Sequence, residues 1–439
     1  MAASVNAEPG ATTAREATAR ATTAHAATAH AATATRSGRV NGPLAGIRIL
    51  DLTAVVLGPL ATRILGDYGA EVIKIEPIEG DIMRANGVTR HPGMSSNHLA
   101  LNRNKRSLAI NLKKPEGLEV AVKLLPGADV LVHNMRVPAV DALGLGYEAV
   151  SKVNPRIVYC AATGFGQDGP DRAKPAFDDI IQAACGLASL GADRHGTPDY
   201  VPTLIADKTA GMAVVNSVLA ALFYRERTGR GQYVEVPMFE TLVDFTMAEH
   251  LGGLSFVPPT APPGYARILA GGRKPSPTRD GYVAILPYNY LQWEAFFRRI
   301  GRENLIAQHD FSSRQKLNAR VRELYDVVAK LTPERTTAEW LALCEELDIA
   351  CTQIYGLDQL FEHPHLKAVG MFERVEHPTE GSIVEVRPAT RFSESPAGIG
   401  RSAPNVGEHT VEILGELGYD SAQVDALLAR GVVGAHAQR

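Results

Sequence analysis

The sequence predicts an α/β protein: a mostly parallel sheet in a large domain, with a smaller α+β domain beside it. Three observations predict this. Short apolar runs alternate with longer helical stretches between residues 47 and 163, the pattern of βαβ units. Near residue 257 the texture changes to a Pro- and Gly-rich stretch, VPPTAPPGYARILAGGRKPSP, and then to one strand followed by several helices. The chain has 439 residues, room for two or three domains at about 150 residues each.

The elements follow in order. Residues 1–41 stand apart: ATTAREATAR (11–20) recurs with small changes as ATTAHAATAH (21–30). This Ala/Thr-rich segment has too few large apolar side chains to offset its ordering entropy, so it reads as a disordered tail. Its Arg15, Arg20, Arg36 and Arg39 resemble those of a transit peptide, but Glu8, Glu16 and the missing apolar face argue against one. The first strand is 47–52. Gly58 and Pro59 punctuate the turn into a helix ending near Gly69. Glu71–Glu76 is the second strand, and 107–112, 129–133 and 157–163 are further strands, separated by helical stretches at 115–125 and 138–153. Two long helices, 178–190 and 208–226, precede a strand at 232–236. The smaller domain has a strand at 281–287 and helices near 290–300, 314–330 and 336–347. The final stretch, EHTVEILGELGYDSAQVDALLARGVV, reads as two short helices.

Composition excludes several function classes. Lys plus Arg is 45 and Asp plus Glu is 48, a formal net charge of -3, which gives no global pull toward nucleic acid or an anionic membrane. With 45% apolar and 21% charged residues, the bulk of the chain reads as globular. No apolar run reaches the roughly 18 residues of a membrane helix; the longest, 180–190 and 212–223, read as buried helices. Cys160, Cys185, Cys344 and Cys351 form no CxxC, so they read as buried free thiols in a reducing cytoplasm rather than disulfides or zinc ligands.

Motifs with a fixed chemistry are scarce. GxxxxGK[ST], HExxH and GxSxG are missing. GxGxxG occurs as Gly164, Gly166 and Gly169, but Pro170, Asp171 and Pro175 follow, and no strand ends about 20 residues on, as a dinucleotide site would require. It reads as a Gly-rich turn. His363, His365 and His377 lie near Glu362 and Glu376, but Pro364 and Pro378 suggest extended chain that does not converge ligands, and no metal is expected. SRQK (313–316) matches SxxK without its companion motifs. Asp207 stands out. It follows Leu204, Ile205 and Ala206, opens a helix that contains Gly211, and is either an N-cap or a semi-buried carboxylate nucleophile with room for substrate beside it. Asp178 and Asp179 open another helix with the same capping alternative.

GPLAGIRILDLT, DYGAEVIKIEP, NRNKRSLAINLKKPEG, NMRVPAVDALGLGYE, TGFGQDGP, ADKTAG and TGRGQYVEVPMFE occur in this order. Together they resemble the class III CoA-transferase family, the group of formyl-CoA transferase and carnitine CoA-transferase, which also contains alpha-methylacyl-CoA racemase. The resemblance runs from about residue 42 to the end. It implies that Asp207, in ADKTAG, attacks the acyl-CoA donor, forming a mixed anhydride and then an aspartyl-CoA thioester from which CoA passes to the acceptor acid. No tightly bound cofactor is implied; the CoA thioester is the substrate. A Gly-rich loop covers the site in some members, and Gly271 and Gly272 are the candidates here. The family's CoA contacts map to Val56 and Leu57, to Ile110, Asn111, Leu112 and Lys113, and to Asn134, Met135 and Arg136. Phe177 and Asp178 complete the set, with Asp178 placed to position thioester or acceptor. Two basic residues common in the family are Pro77 and Ala142 here, so Lys105 or Arg106 is expected to substitute.

The racemase branch is the alternative. It pairs the aspartate with a histidine thirty residues earlier, and that position is Phe177, which carries no proton. The resemblance also implies a Rossmann-like large domain built from both ends of the chain (42–250 and 360–439), a small domain at 257–355, and an interlocked cytoplasmic homodimer. Donor and acceptor stay open; succinyl-CoA with another small organic acid is the family habit.

Overall fold

The structure, a computed structural model, describes residues 38–269, 273–310 and 313–436. The apolar runs become strands β1 (Arg48–Leu52), β2 (Glu71–Glu76), β3 (Lys105–Ile110), β4 (Val130–His133), β5 (Val158–Ala161) and β6 (Gln232–Glu235). All six are parallel. Neighbouring residues serve opposite faces. Ile49, Val72, Val130 and Val158 pack on one side, under helices α1 (Leu57–Asp67), α4 (Ile205–Thr228) and α5 (Met238–His250). Leu50, Ile73, Leu131 and Tyr159 pack on the other, against α2 (Pro115–Leu124). A sheet covered on both faces explains why β1, β4 and β5 read as mostly apolar runs, while β2 and β3 also bury Lys74, Lys105 and Arg106.

Gly186, in the left-handed region at φ 85°, ends the helix read over 178–190 after α3 (Asp178–Ala184). Gly144, at φ 75°, breaks the stretch 138–153 into two short helices in the same way. By length and composition α4 could cross a membrane, but Ala206, Ala210, Val214 and Val218 bury one face of it in the core.

A second, antiparallel sheet has the order β7 (Ser276–Pro277), β8 (Tyr282–Leu286), β9 (Ala350–Gln353). Trp293, Phe296, Phe297, Leu324 and Trp340 form its own core with the helices between. A hairpin, β10 (Phe372–His377) and β11 (Gly381–Val386), follows where the sequence suggested only extended chain. His377 is buried there, its Nε2 bonded to the Ala403 carbonyl, while His363 caps the short helix Pro364–Ala368.

The chain then returns to the large sheet. Asn104 donates to the Gly398 carbonyl at 2.9 Å, Arg84 donates to the Pro404 carbonyl, and β12 (Val433–Gly434) pairs antiparallel with β3. The full order is β12-β3-β2-β1-β4-β5-β6. Topology reverses between β1 and β4, so their loops part at the carboxyl ends and leave a crevice, the usual ligand position in such sheets.

Candidate active site

Three successive amides of the loop after β1 each donate to a side chain from elsewhere. The Thr53 N–H reaches Asp51 (2.9 Å), the Ala54 N–H reaches Asn134 (2.9 Å), and the Val55 N–H reaches Asp81 (3.2 Å). Val55 has φ 69°, costly for a β-branched residue by about 1–3 kcal/mol. Beyond it α1 opens at Leu57, with Val56 as an N-cap that offers no side-chain bond. The helix takes its anion from another element: the Leu57 amide faces the Asp207 carboxylate across the shared cavity and helps hold its pKa down.

Asp207 lies in the first turn of α4. One turn later stands Gly211, where a Cβ would come within 2.8 Å of the Leu57 carbonyl oxygen. The small residue was expected to leave room for substrate; that room holds the backbone of α1, and this close approach brings the Leu57 amide to Asp207. Asp178, buried at the start of α3, accepts the Asp207 N–H at 3.0 Å and the Gln182 amide at 2.6 Å. Asp178 is a cap, but of α4 rather than its own helix. Burial, and then the Asp178 charge, push the Asp207 carboxyl up to about 6 against the pull of the Leu57 amide. At neutral pH Asp207 is still mostly ionised, and it is more basic than an ordinary aspartate.

Asp207 opens into a cavity of about 240 Å³. A second cavity of about 550 Å³ runs over the ends of β1, β2 and β3. Asn134 and Met135, at the end of β4, line both. A long ligand lying in the larger cavity would therefore reach Asp207 past Met135.

Of the residues singled out in the sequence, Leu57, Arg136, Phe177 and Asp207 line the smaller cavity. Ile110, Asn111, Leu112 and Lys113 line the larger. Val56 and Asp178 are buried and line neither. Asn134 acts mainly as a clamp, its amide gripping both the N–H and the carbonyl of Ala54. Gly271 and Gly272 lie outside the described residues. The expectation for Lys105 and Arg106 is overturned. β3 begins at Lys105, so both lie inside the sheet rather than after it. Lys105 is buried on Asp51 and Asn102, and Arg106 is bound to Glu71 and Glu416.

The sequence reading missed Gln167, Arg172 and Lys174, which also line the smaller cavity. They belong to the Gly-rich turn after β5. Glu240 accepts the Gly166 N–H and Glu235 accepts the Gln167 N–H, which ties TGFGQDGP to VEVPMFE. A Cβ at Gly164 would overlap Ala176, so this glycine serves close packing. The available signal was the co-occurrence of those two motifs.

A parallel sheet of this order, with a half-buried carboxylate at its crevice and a long groove leading to it, defines an α/β enzyme acting on an extended substrate. The family model for CoA-transferase family III matches residues 44–410. An acyl-CoA transferase of Fusarium pseudograminearum is 33% identical over 89% of this chain and 88% of its own. The human succinyl-CoA:glutarate CoA-transferase is 32% identical over 90% of each. A CAIB/BAIF family protein from Brucella suis has a similar solved structure, with TM-score 0.74 and 27% identity, covering 86% of this chain and all of that one. The chain belongs to CoA-transferase family III and is an enzyme of that class.

Proposed function

We propose that the enzyme moves CoA between carboxylic acids through covalent intermediates on Asp207. The observation that carries this reading is the Asp207 carboxylate, half-buried beside the Leu57 amide and opening into the smaller cavity where the groove ends. The Asp207 oxygen attacks the thioester carbonyl of the donor; the C–S bond breaks and CoA leaves as thiolate. The thiolate attacks the aspartyl carbonyl of the mixed anhydride, releasing the donor acid and leaving an aspartyl-CoA thioester. The acceptor carboxylate attacks this carbonyl and expels the thiolate, which then takes the acceptor acyl group and frees Asp207. Each step exchanges one activated acyl group for another, so no net energy input is needed. Water has to be kept from the anhydride.

CoA lies in the larger cavity, with Lys113 the basic side chain there, and its thioester passes Met135. The acyl group lies toward the turn after β5. Arg136 and Arg172 line that cavity, and neither forms an ion pair with a described residue. They favour an acyl group with a second carboxylate, and two relatives at 32–33% identity are named for succinyl-CoA and glutarate. We take succinyl-CoA as donor and a short dicarboxylate as acceptor.

The reading includes an interlocked homodimer. Met212, Phe223 and Tyr224 on α4, Phe245 on α5, and Phe256 and Val257 beyond it are exposed, an apolar face suited to a second copy. It keeps the domain division 42–250, 257–355 and 360–439, supported by the separate aromatic core around Trp293. The four free cysteines fit a reducing cytoplasm.

The test is intact-protein mass spectrometry after incubation with succinyl-CoA, with hydroxylamine or borohydride trapping. A modification on the peptide carrying Asp207 is the expected result. No adduct, with transfer intact in an Asp207→Asn variant, would remove Asp207 from the mechanism.

A further inference from the structure

The loop that presents the Leu57 amide contains a residue the backbone does not favour. Val55 needs φ 69°, and such a conformation persists only when its surroundings over-determine it. The bonds nearest Val55 in that determination come from one buried ion pair. Lys74, fully buried in β2, donates to the Thr53 carbonyl at 2.8 Å and to Asp81 Oδ2 at 3.0 Å. The other oxygen of Asp81 accepts the N–H of Val55 at 3.2 Å and of Met83 at 3.0 Å. The Asp81 N–H is itself bound to Glu76, which Arg84 grips through two nitrogens. One pair thus ties the carbonyl two residues before Val55 and the amide of Val55 itself.

We propose that Lys74 and Asp81 are positioning residues for the nucleophile: they hold the 53–57 loop so that the Leu57 backbone stays packed on α4 beside the Asp207 carboxylate. This rests on the reading of Asp207 as nucleophile. Neither residue has a polar contact with Asp207. A buried ion pair adds little net stability over apolar packing of the same volume. Apolar side chains, however, could not hold one carbonyl and one amide of a strained loop at once. Asp81 also lines the larger cavity, so the test separates a role in substrate binding from a role in positioning.

The groups that face Asp207 are Asp178 from α3, the Leu57 amide from α1, and Arg136, Arg172 and Lys174 around the same cavity. A loosened loop withdraws the Leu57 amide and leaves the others in place. The protonation midpoint of Asp207 then rises.

The experiment uses the full chain with succinyl-CoA and glutarate, comparing Asp81→Asn and Val55→Gly/Asp81→Asn with the parent. A second readout needs no substrate: carbodiimide-driven amine coupling to Asp207 as a function of pH, read by peptide mass. For Asp81→Asn, kcat is expected to fall about ten- to a hundredfold, the KM for succinyl-CoA to change less than about threefold, and the coupling midpoint to move up. Glycine adopts the left-handed backbone without strain, so the double variant is expected to regain much of kcat. An unchanged kcat and midpoint, a loss confined to KM, or no recovery in the double variant would each overturn the proposal. If Asp81→Asn does not fold, Lys74→Met/Asp81→Leu removes both charges together, and parent-like values in that variant overturn the proposal equally. A parent that transfers no CoA between this pair would refute the succinyl-CoA and glutarate assignment, while the coupling titration still decides the positioning role.

Discussion

The loop after β1 and the turn after β5 flank one cavity and are built in opposite ways. In the first, three consecutive amides are tied to Asp51, Asn134 and Asp81, and Thr53, Val56 and Leu57 are buried. In the second, Glu235 and Glu240 anchor only the start, and the chain from Arg172 to Pro175 is exposed. The difference teaches where precision is needed. On the proposed mechanism the rigid side sets the nucleophile, which is the same for every acyl group, and the open side meets the part of the substrate that differs from one acid to the next.

The strongest way to break the rigid side is to remove what it aims. Asp207→Asn is expected to lower CoA transfer at least about a thousandfold, measured by chromatography of the CoA esters. The same change should stabilise the protein at neutral pH. Folding raises the Asp207 carboxyl from 3.8 to about 6, so the folded state binds more protons and stability falls as pH rises between those values. The neutral amide escapes this, a gain of up to about 3 kcal/mol. Thermal midpoints should separate above pH 6 and converge near pH 4; a constant gap would mean the charge is not the cause.

Gly211→Ala comes next. Its Cβ would lie 2.8 Å from the Leu57 carbonyl oxygen, so α1 must move off α4 at about 1–3 kcal/mol. Urea unfolding should show that loss, and kcat should fall about tenfold as the Leu57 amide withdraws. Asp178→Asn keeps an acceptor for the Asp207 N–H but removes the charge that helps raise Asp207. The acid limb of kcat/KM should therefore shift down by about half to one pH unit. On the open side, Arg172→Gln is expected to raise the KM for glutarate about three- to tenfold, with kcat and thermal midpoint unchanged. An equal rise in the KM for CoA would assign Arg172 to a phosphate instead.

The central strands β1, β4 and β5 were legible because both faces of the sheet are buried and leave mostly apolar runs. Charges inside that sheet were not. Lys105 and Arg106 look like surface cations in NRNKRSL, and only the fold brings Asp51, Asn102, Glu71 and Glu416 to them. Asp207 and Asp178 were legible as carboxylates at helix starts. That Asp178 caps the helix of Asp207 was hidden, because the bond spans 29 positions in sequence. The exposed Arg172 carried no signal beyond its place in a turn, since a cation in a polar loop is ordinary.

β12 adds two residues to the sheet, pairing with Ala109 and Ile110, and so closes the outer edge at the carboxyl end of β3, every residue of which is buried. During synthesis β3 emerges more than three hundred residues before its partner at Val433. Until then the Leu108–Ile110 end of this strand has an open side, the kind of surface that pairs with the wrong chain. The edge of β3 therefore stays open until the chain has emerged past Val433, and the nascent chain should depend on chaperones until β12 docks.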